Sequence, residues 1–399
     1  MATLIIDNVQ LVLPGQAVVP GGVLVRDGVI AGGSTGLPRI SAPAEEPNGV
    51  ERIDGGGRLL TPGLIDLHVH GIGLEMFEYG PDALRAGAAL LPAFGATCAY
   101  PTLVPREIGP ALLDRLAALA AALPHLPSAR LPGLHLEGPF MALPGAGCAT
   151  LPGDVALLDD LLAACAGRLA IMSISPDTPG ILPVIARLRE RGVVPFITHT
   201  RADAEQTAAA IAAGAVHATH FYDVFHVPPE TEPGARPVGA VEAILADPRA
   251  SVDFIADGVH VHPMAIRAAV AAKGFSHVML ITDANVGAGL PEGVYDTPWG
   301  YPVRVAPGKG ARVAEGHPLA GVLAGSALTM NEGVKNLLAW LPLPPAQVWA
   351  MATSNPARLL RLSRQGVIAE GAHADLVLWN ADLTPAITWI GGEVAYRQE

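Results

Sequence analysis

Leu64-Ile65-Asp66-Leu67-His68-Val69-His70 is the stretch on which the fold turns. It is a short apolar run that ends in two imidazoles. Side chains at i and i+2 of a strand face the same side, so His68 and His70 point together. Seven further runs of this kind follow, at 97–103, 134–138, 170–175, 194–200, 218–224, 252–257 and 278–283. Ala-, Leu- and Arg-rich helical stretches lie between most of them, among them 111–123, 157–165, 181–191 and 202–213. Eight short buried strands alternating with helices predict an α/β fold, a (β/α)8 barrel of the TIM type, and roughly 300 residues suits one. A doubly wound sheet shares the alternation.

The two ends read differently. Leu4-Ile5-Ile6, Val9 to Val12 and Val23-Leu24-Val25 are short strands cut by Gly, Pro and Asp; Gly366-Val367-Ile368, 374–379 and 387–394 look alike. They predict a small β-sandwich domain built from both termini, residues 1–58 plus 364–399, around a barrel over 59–363. The Gly/Pro-rich segment 40–57 reads as a connection.

With 399 residues, half of them hydrophobic and 16% charged, the chain can bury a large core and is no disordered tail. Lys and Arg number 25 against 37 Asp and Glu, a net charge of −12 that argues against nucleic acid and anionic membranes as partners. No run of about 20 apolar residues is uninterrupted. Met1 to Asp7 carries no basic leader. Three cysteines, Cys98, Cys148 and Cys165, read as reduced thiols. Together these point to a cytoplasmic, globular protein.

Polar residues gather at the carboxyl ends of the strands. After His68 and His70 come His135 and Glu137 on the third, His199 on the fifth, His217 and His220 on the sixth, Asp257 and His260 after the seventh, and Asp283 on the eighth. Barrel active sites are assembled at that face. Burying so many titratable groups is unfavourable without a partner, and imidazole with carboxylate suits a divalent cation such as zinc. His135, His217 and His262 read as structural. Lys273, Lys309 and Lys335 are the only lysines, so no lysine stands on the fourth strand to be carbamylated and bridge two ions. Glu137 is the natural substitute bridge.

Thr61-Pro62-Gly63-Leu64-Ile65-Asp66-Leu67-His68-Val69-His70-Gly71, Leu134-His135-Leu136-Glu137-Gly138-Pro139, Ala218-Thr219-His220-Phe221-Tyr222, Ile255-Ala256-Asp257-Gly258-Val259-His260, Ile281-Thr282-Asp283-Ala284 and Leu323-Ala324-Gly325-Ser326-Ala327-Leu328-Thr329-Met330 carry a resemblance. Over essentially its whole length the chain resembles the amidohydrolase superfamily, and within it the N-acetylglucosamine-6-phosphate deacetylases.

By position, the resemblance implies that Glu137, His199 and His220 hold a primary metal. His68 and His70 match the members with a second ion, Glu137 bridging. One or two divalent ions are implied, zinc first, with iron or another ion as alternatives. Asp283 matches the catalytic acid/base and His260 the residue that orients and polarises the substrate. Arg236 aligns with a phosphate-gripping arginine, and Leu323, Ala324 and Gly325 with a substrate-contacting segment. The implied reaction is removal of the N-acetyl group from a phosphorylated amino sugar, giving acetate and the free amine, by a homodimer.

Two departures fall in the sugar pocket. Gly147-Cys148-Ala149-Thr150 lacks the family's loop histidine, at Ala149, and Asp223-Val224 replaces an Asn-Ala pair at the substrate-binding turn. Another N-acetylhexosamine or N-acyl amine is therefore the alternative substrate. A cyclic amidase and a non-catalytic scaffold of the same fold are the further readings, the latter requiring lost ligands.

Overall fold

The computed structural model describes residues 3–35, 50–126, 128–145 and 147–399. Eight parallel strands form the barrel: Leu64–Val69, Ala96–Leu103, Leu134–Glu137, Leu169–Ile174, Val194–Ile197, His217–Ala218, Ser251–Ile255 and Val278–Ile281, hydrogen-bonded in chain order. The ring comes back on itself just past the eighth strand. His70 N–H donates to the Ala284 carbonyl and Asp283 N–H to that of His68, both at 2.9 Å. Beneath this seam the buried Asp66 accepts His68 N–H at 3.3 Å, Thr282 N–H at 3.2 Å and the Thr282 hydroxyl at 2.5 Å. Burial pushes its carboxyl up to about 7, against the pull of those donors.

The strands are almost wholly buried because helices cover them outside and side chains fill the barrel within. Local chemistry starts the helices. Asp154 accepts the N–H groups of Ala156 and Leu157 ahead of Val155–Ala164, and Asp203 forms a capping box with Gln206 ahead of Ala204–Ala213. Pro opens Pro81–Leu90, Pro110–Ala122 and Pro263–Lys273.

The sixth strand is shorter than its sequence pattern predicts. It ends at Ala218, because His220, Tyr222 and Val224 have φ of 35°, 76° and 55°. A strand cannot hold such angles, and in L-residues they mark a backbone fixed by its surroundings.

The termini meet in a second sheet. Thr3–Leu13 pairs with Ala17–Arg26, and also in parallel with Val50–Asp54 through its first half and Leu59–Pro62 through its second. Leu376–Trp379 pairs with Leu59–Pro62 and continues into the hairpin Pro385–Ile390 and Glu393–Arg397. The result is one forked sheet around its own hydrophobic cluster, which includes Ile6, Leu11, Leu60, Leu376 and Trp389. It takes in Leu59–Pro62, beyond the expected boundary at 58. Gly366-Val367-Ile368 is irregular, not a strand. Of the connection expected over 40–57, residues 40–49 lie outside the described residues, and Val50–Asp54 is a strand.

A four-stranded antiparallel sheet, Gly293–Tyr295, Val303–Val305, Ala311–Val313 and Leu323–Gly325, was not expected from the sequence. It joins the barrel rim where Asn285 N–H donates to Ser326 carbonyl at 3.0 Å, just past the eighth strand.

Candidate metal and active site

The carboxyl ends of the first, third, fifth, sixth and eighth strands bring six side chains together. Glu137 lies at their centre. Its Oε1 is 3.2 Å from His199 Nε2 and 3.1 Å from His220 Nε2. Its Oε2 is 3.3 Å from His70 Nε2 and 3.7 Å from His68 Nε2. His68 and His70 Nε2 are themselves 3.2 Å apart. Asp283 Oδ1 lies 3.1 Å from His70 Nε2 and 3.5 Å from His68 Nε2. One carboxylate oxygen thus faces each pair of rings.

The far nitrogens fix the rings. His68 Nδ1 lies 3.0 Å from the Thr219 hydroxyl, and His220 Nδ1 lies 3.3 Å from the Asp223 carbonyl. A ring N–H donated outward leaves the Nε2 lone pair facing inward. Two groups, His68 with His70 and Asp283, and His68 with Glu137 and His220, are close enough to share an ion.

The electrostatics favour a cation here. Without one, carboxylate oxygens and imidazole lone pairs face each other, and the rings of His70 and His220 are driven to hold protons. Burial alone would lower His70, yet its hydrogen bonds to Asp283 and Glu137 raise it to about 10. His220 is likewise raised to about 10 by Glu137 against burial. Burial would raise Glu137, but the His68 charge and the bonds from His199 and His220 hold it well below the usual carboxylate range. Asp283 is held to about 2 by His68 and His70 against its own burial. Such a donor set fits a divalent cation of the zinc type.

His199, His220 and Asp283 all carry positive φ, at 48°, 35° and 47°. Each strand therefore ends in a sharp turn that throws its last polar side chain inward. The loop after Glu137 closes over the cluster. A Cβ on Gly145 would stand 1.6 Å from His199 Cε1, so only glycine fits against that ring. Cys148 is buried under the same loop, its thiol donating to the Glu137 carbonyl at 3.2 Å, and burial pushes it up to about 12. That is a packing role, and the thiol is free, as the sequence predicts.

His260 stands at the rim. Its Nδ1 is 2.7 Å from Asp257 Oδ2, while Asp257 Oδ1 accepts the N–H groups of Val259 and His260 at 2.8 and 3.0 Å. Burial would lower His260, but Asp257 raises it, with smaller pulls from Asp283 and Asp223. Asp223 is half-buried on the turn after His220, and its charge acts on both His220 and His260. Val224 accepts Thr200 N–H at 3.1 Å. Leu323, Ala324 and Gly325 form the last strand of the inserted sheet, with Gly325 against Asn285.

Arg236 is not gathered in. Its side chain is 84% exposed and pairs with Glu242 at 2.7 Å. His135 is satisfied by the Leu67 carbonyl at 2.9 Å and Ser173 Oγ at 2.7 Å, and burial holds it well below its ordinary range. His262 caps helix Pro263–Lys273. Sequence reasoning missed Asp257 as the orienting partner of His260, although Asp-Gly-Val-His spaces the two for a turn. It also missed Asp66 and Gly145, for which the sequence holds no signal.

Comparison with known proteins gives a consistent picture. The model of the Amidohydrolase family matches residues 180–395. The N-acetylglucosamine-6-phosphate deacetylase of Bacillus subtilis is 31% identical, covering 99% of this chain and 97% of that protein. The N-acetylgalactosamine-6-phosphate deacetylase of Escherichia coli O157:H7 is 32% identical, over 93% of each. Among solved structures, N-acetyl-D-glucosamine-6-phosphate deacetylase from Mycobacterium smegmatis superposes with a TM-score of 0.82 at 30% identity, over 99% of this chain and 100% of that one. A mutant of the same enzyme, solved in complex with N-acetyl-D-glucosamine-6-phosphate, gives 0.81 at 29% identity over 99% of both chains.

Proposed function

The chain belongs to the amidohydrolase family, and from that premise we propose that it hydrolyses the N-acetyl group of an amino sugar phosphate, N-acetylglucosamine 6-phosphate first, to acetate and the free amine. The observation that carries this reading is the convergence of four imidazole Nε2 atoms on the two oxygens of Glu137, with Asp283 against the same rings.

In this reading Glu137, His199 and His220 would hold one divalent ion, and His68 and His70, with Glu137, would hold a second. A divalent ion held there, zinc by the donor set, would supply a water of pKa lowered towards about 7 and a Lewis acid for a carbonyl. Asp283, with Oδ1 3.1 Å from His70 Nε2 and 3.5 Å from His68 Nε2, takes the proton of the attacking water. It then delivers that proton to the amine, a poor leaving group until protonated. His260, aimed by Asp257 through Nδ1, keeps Nε2 for the substrate and steadies the oxygen on which charge develops. Leu323, Ala324 and Gly325 contact the sugar. Arg236 is the phosphate contact and leaves Glu242 to serve, an exchange that costs little because exposed ion pairs contribute at most about 1 kcal/mol. Two copies acting together in the cytoplasm, with buried unpaired thiols, complete the reading.

N-acetylgalactosamine 6-phosphate is the second substrate reading, supported by relatives of that name at 32% identity and by Asp223 at the sugar turn. The test is acetate release by zinc-loaded protein from both phosphorylated sugars and from N-acetylglucosamine. Preference for either phosphorylated sugar supports the reading and chooses between the two. No turnover of any of them overturns the substrate assignment.

A further inference from the structure

Asp253, in the seventh barrel strand, is completely buried and has no part in the chemistry above. Its carboxylate reaches across to the sixth strand. Oδ1 accepts the backbone N–H of His220 at 2.5 Å, and Oδ2 lies 2.8 Å from Nε2 of His217, a side chain that is also completely buried. The carbonyl of Asp253 accepts the next backbone N–H, that of Phe221, at 2.9 Å. His217 is held from its other side, its Nδ1 lying 2.7 Å from Ser251 Oγ.

These contacts fall where the sixth strand breaks. Its ladder to the seventh strand consists of His217 opposite Ser251 and Ala218 opposite Val252, and stops there. Two residues later His220 takes φ 35°. A non-glycine residue persists in that region only where its surroundings over-determine it. Here the grip comes from one residue: side chain on the amide of His220, main chain on the amide of Phe221. A buried carboxylate without donors would be strongly unfavourable, and His217 supplies the second donor that keeps Asp253 in place.

We propose that Asp253, oriented by His217 and Ser251, is a positioning residue that holds the His220 backbone in its left-handed turn and so aims the His220 imidazole at Glu137. The proposal rests on His220 serving as a metal ligand. It gives the pair His217 and Asp253 a purpose beyond filling the barrel interior: the ring presented to the ion is set by a carboxylate that never touches the ion.

Asp253→Asn keeps an oxygen acceptor for the His220 N–H, whereas Asp253→Leu fills a similar volume without one. Zinc affinity is measured by competition with a chromophoric chelator, the site geometry by the visible absorption of the cobalt(II)-loaded protein, and the fold by Tm of the metal-free proteins. The Leu variant is expected to bind zinc about 10–100-fold more weakly, as for other residues that orient a ligand from behind, with an altered cobalt spectrum. The Asn variant should bind zinc more tightly than the Leu variant and stay close to wild type. Zinc binding by a folded Leu variant equal to wild type, or equal losses in the Leu and Asn variants, would overturn the proposal. If the Leu chain does not fold, His217→Phe decides. It keeps a ring against Phe196 but removes the donor to Oδ2, and unchanged zinc affinity and cobalt spectrum there would likewise overturn it. Wild-type protein that takes up no divalent ion would instead remove the metal reading itself, and the proposal with it.

Discussion

Glu137→Gln is the sharpest perturbation of the site. The substitution keeps size and shape but replaces one carboxylate oxygen with an NH2 group. That group would face two imidazole Nε2 atoms, either the pair 3.1 and 3.2 Å from Oε1 or the pair 3.3 and 3.7 Å from Oε2. Amide hydrogens satisfy those lone pairs, so the metal-free fold survives, while the charge that draws a cation is gone. At free zinc a thousandfold above Kd, binding adds about 4 kcal/mol to the wild-type protein. For 399 residues, an unfolding entropy of about 2.1 cal/mol/K per residue comes to roughly 0.8 kcal/mol/K, so Tm should rise by about 5 °C. If the variant's Kd has risen a thousandfold, the same zinc adds about 0.4 kcal/mol, a shift of roughly half a degree. Scanning calorimetry with and without chelator, together with metal analysis, reads both numbers. A Glu137→Gln protein that keeps the full shift and a stoichiometric ion would refute the central place given to this carboxylate.

Three further outcomes are expected. Asp283→Asn should leave metal content unchanged and lower kcat by about 10²–10⁴-fold; loss of metal in parallel with activity would make Asp283 a ligand first. Asp257→Asn removes the partner that raises His260 and with it the pair's pH signature. A raised His260 stabilises fully below its unfolded value of 6.5, and a depressed Asp257 stabilises above its unfolded value of 3.8. The Tm gap between wild type and variant should therefore be widest between those two values and narrow as pH rises through the folded pKa of His260. A gap flat with pH would contradict the pairing. Gly145→Ala puts a methyl group where His199 Cε1 now lies, and zinc affinity should fall at least about tenfold, as for a displaced ligand; unchanged affinity would show that the loop yields instead.

Much of the barrel was legible because a parallel sheet writes itself as short apolar runs, and because polar residues at their carboxyl ends have few reasons to be there other than chemistry. His68 and His70 follow from the two-residue period alone. The turns were not legible. His199, His220 and Asp283 take left-handed angles with no glycine to announce them, since the reason lies in contacts from other strands. The 293–325 sheet escaped notice because its strands are three residues long, below any useful period. Arg236 has a position in the sequence but not a conformation: it falls after the sixth strand, and only the fold shows its guanidinium on Glu242 in solvent.

The forked sheet of the termini bears on how the chain is made. Leu59–Pro62 lies between Thr3–Leu13 and Leu376–Trp379, and Trp379 Nε1 donates to Thr61 Oγ1 at 2.8 Å. During synthesis that inner edge stands bare until its partner leaves the ribosome roughly 300 residues later, about 15–60 s at ordinary elongation rates. The barrel strands, emerging in the order in which they pair, can associate in the meantime. The nascent protein would thus carry an open strand edge through most of its translation, the period in which a chaperone or a second copy could add itself there.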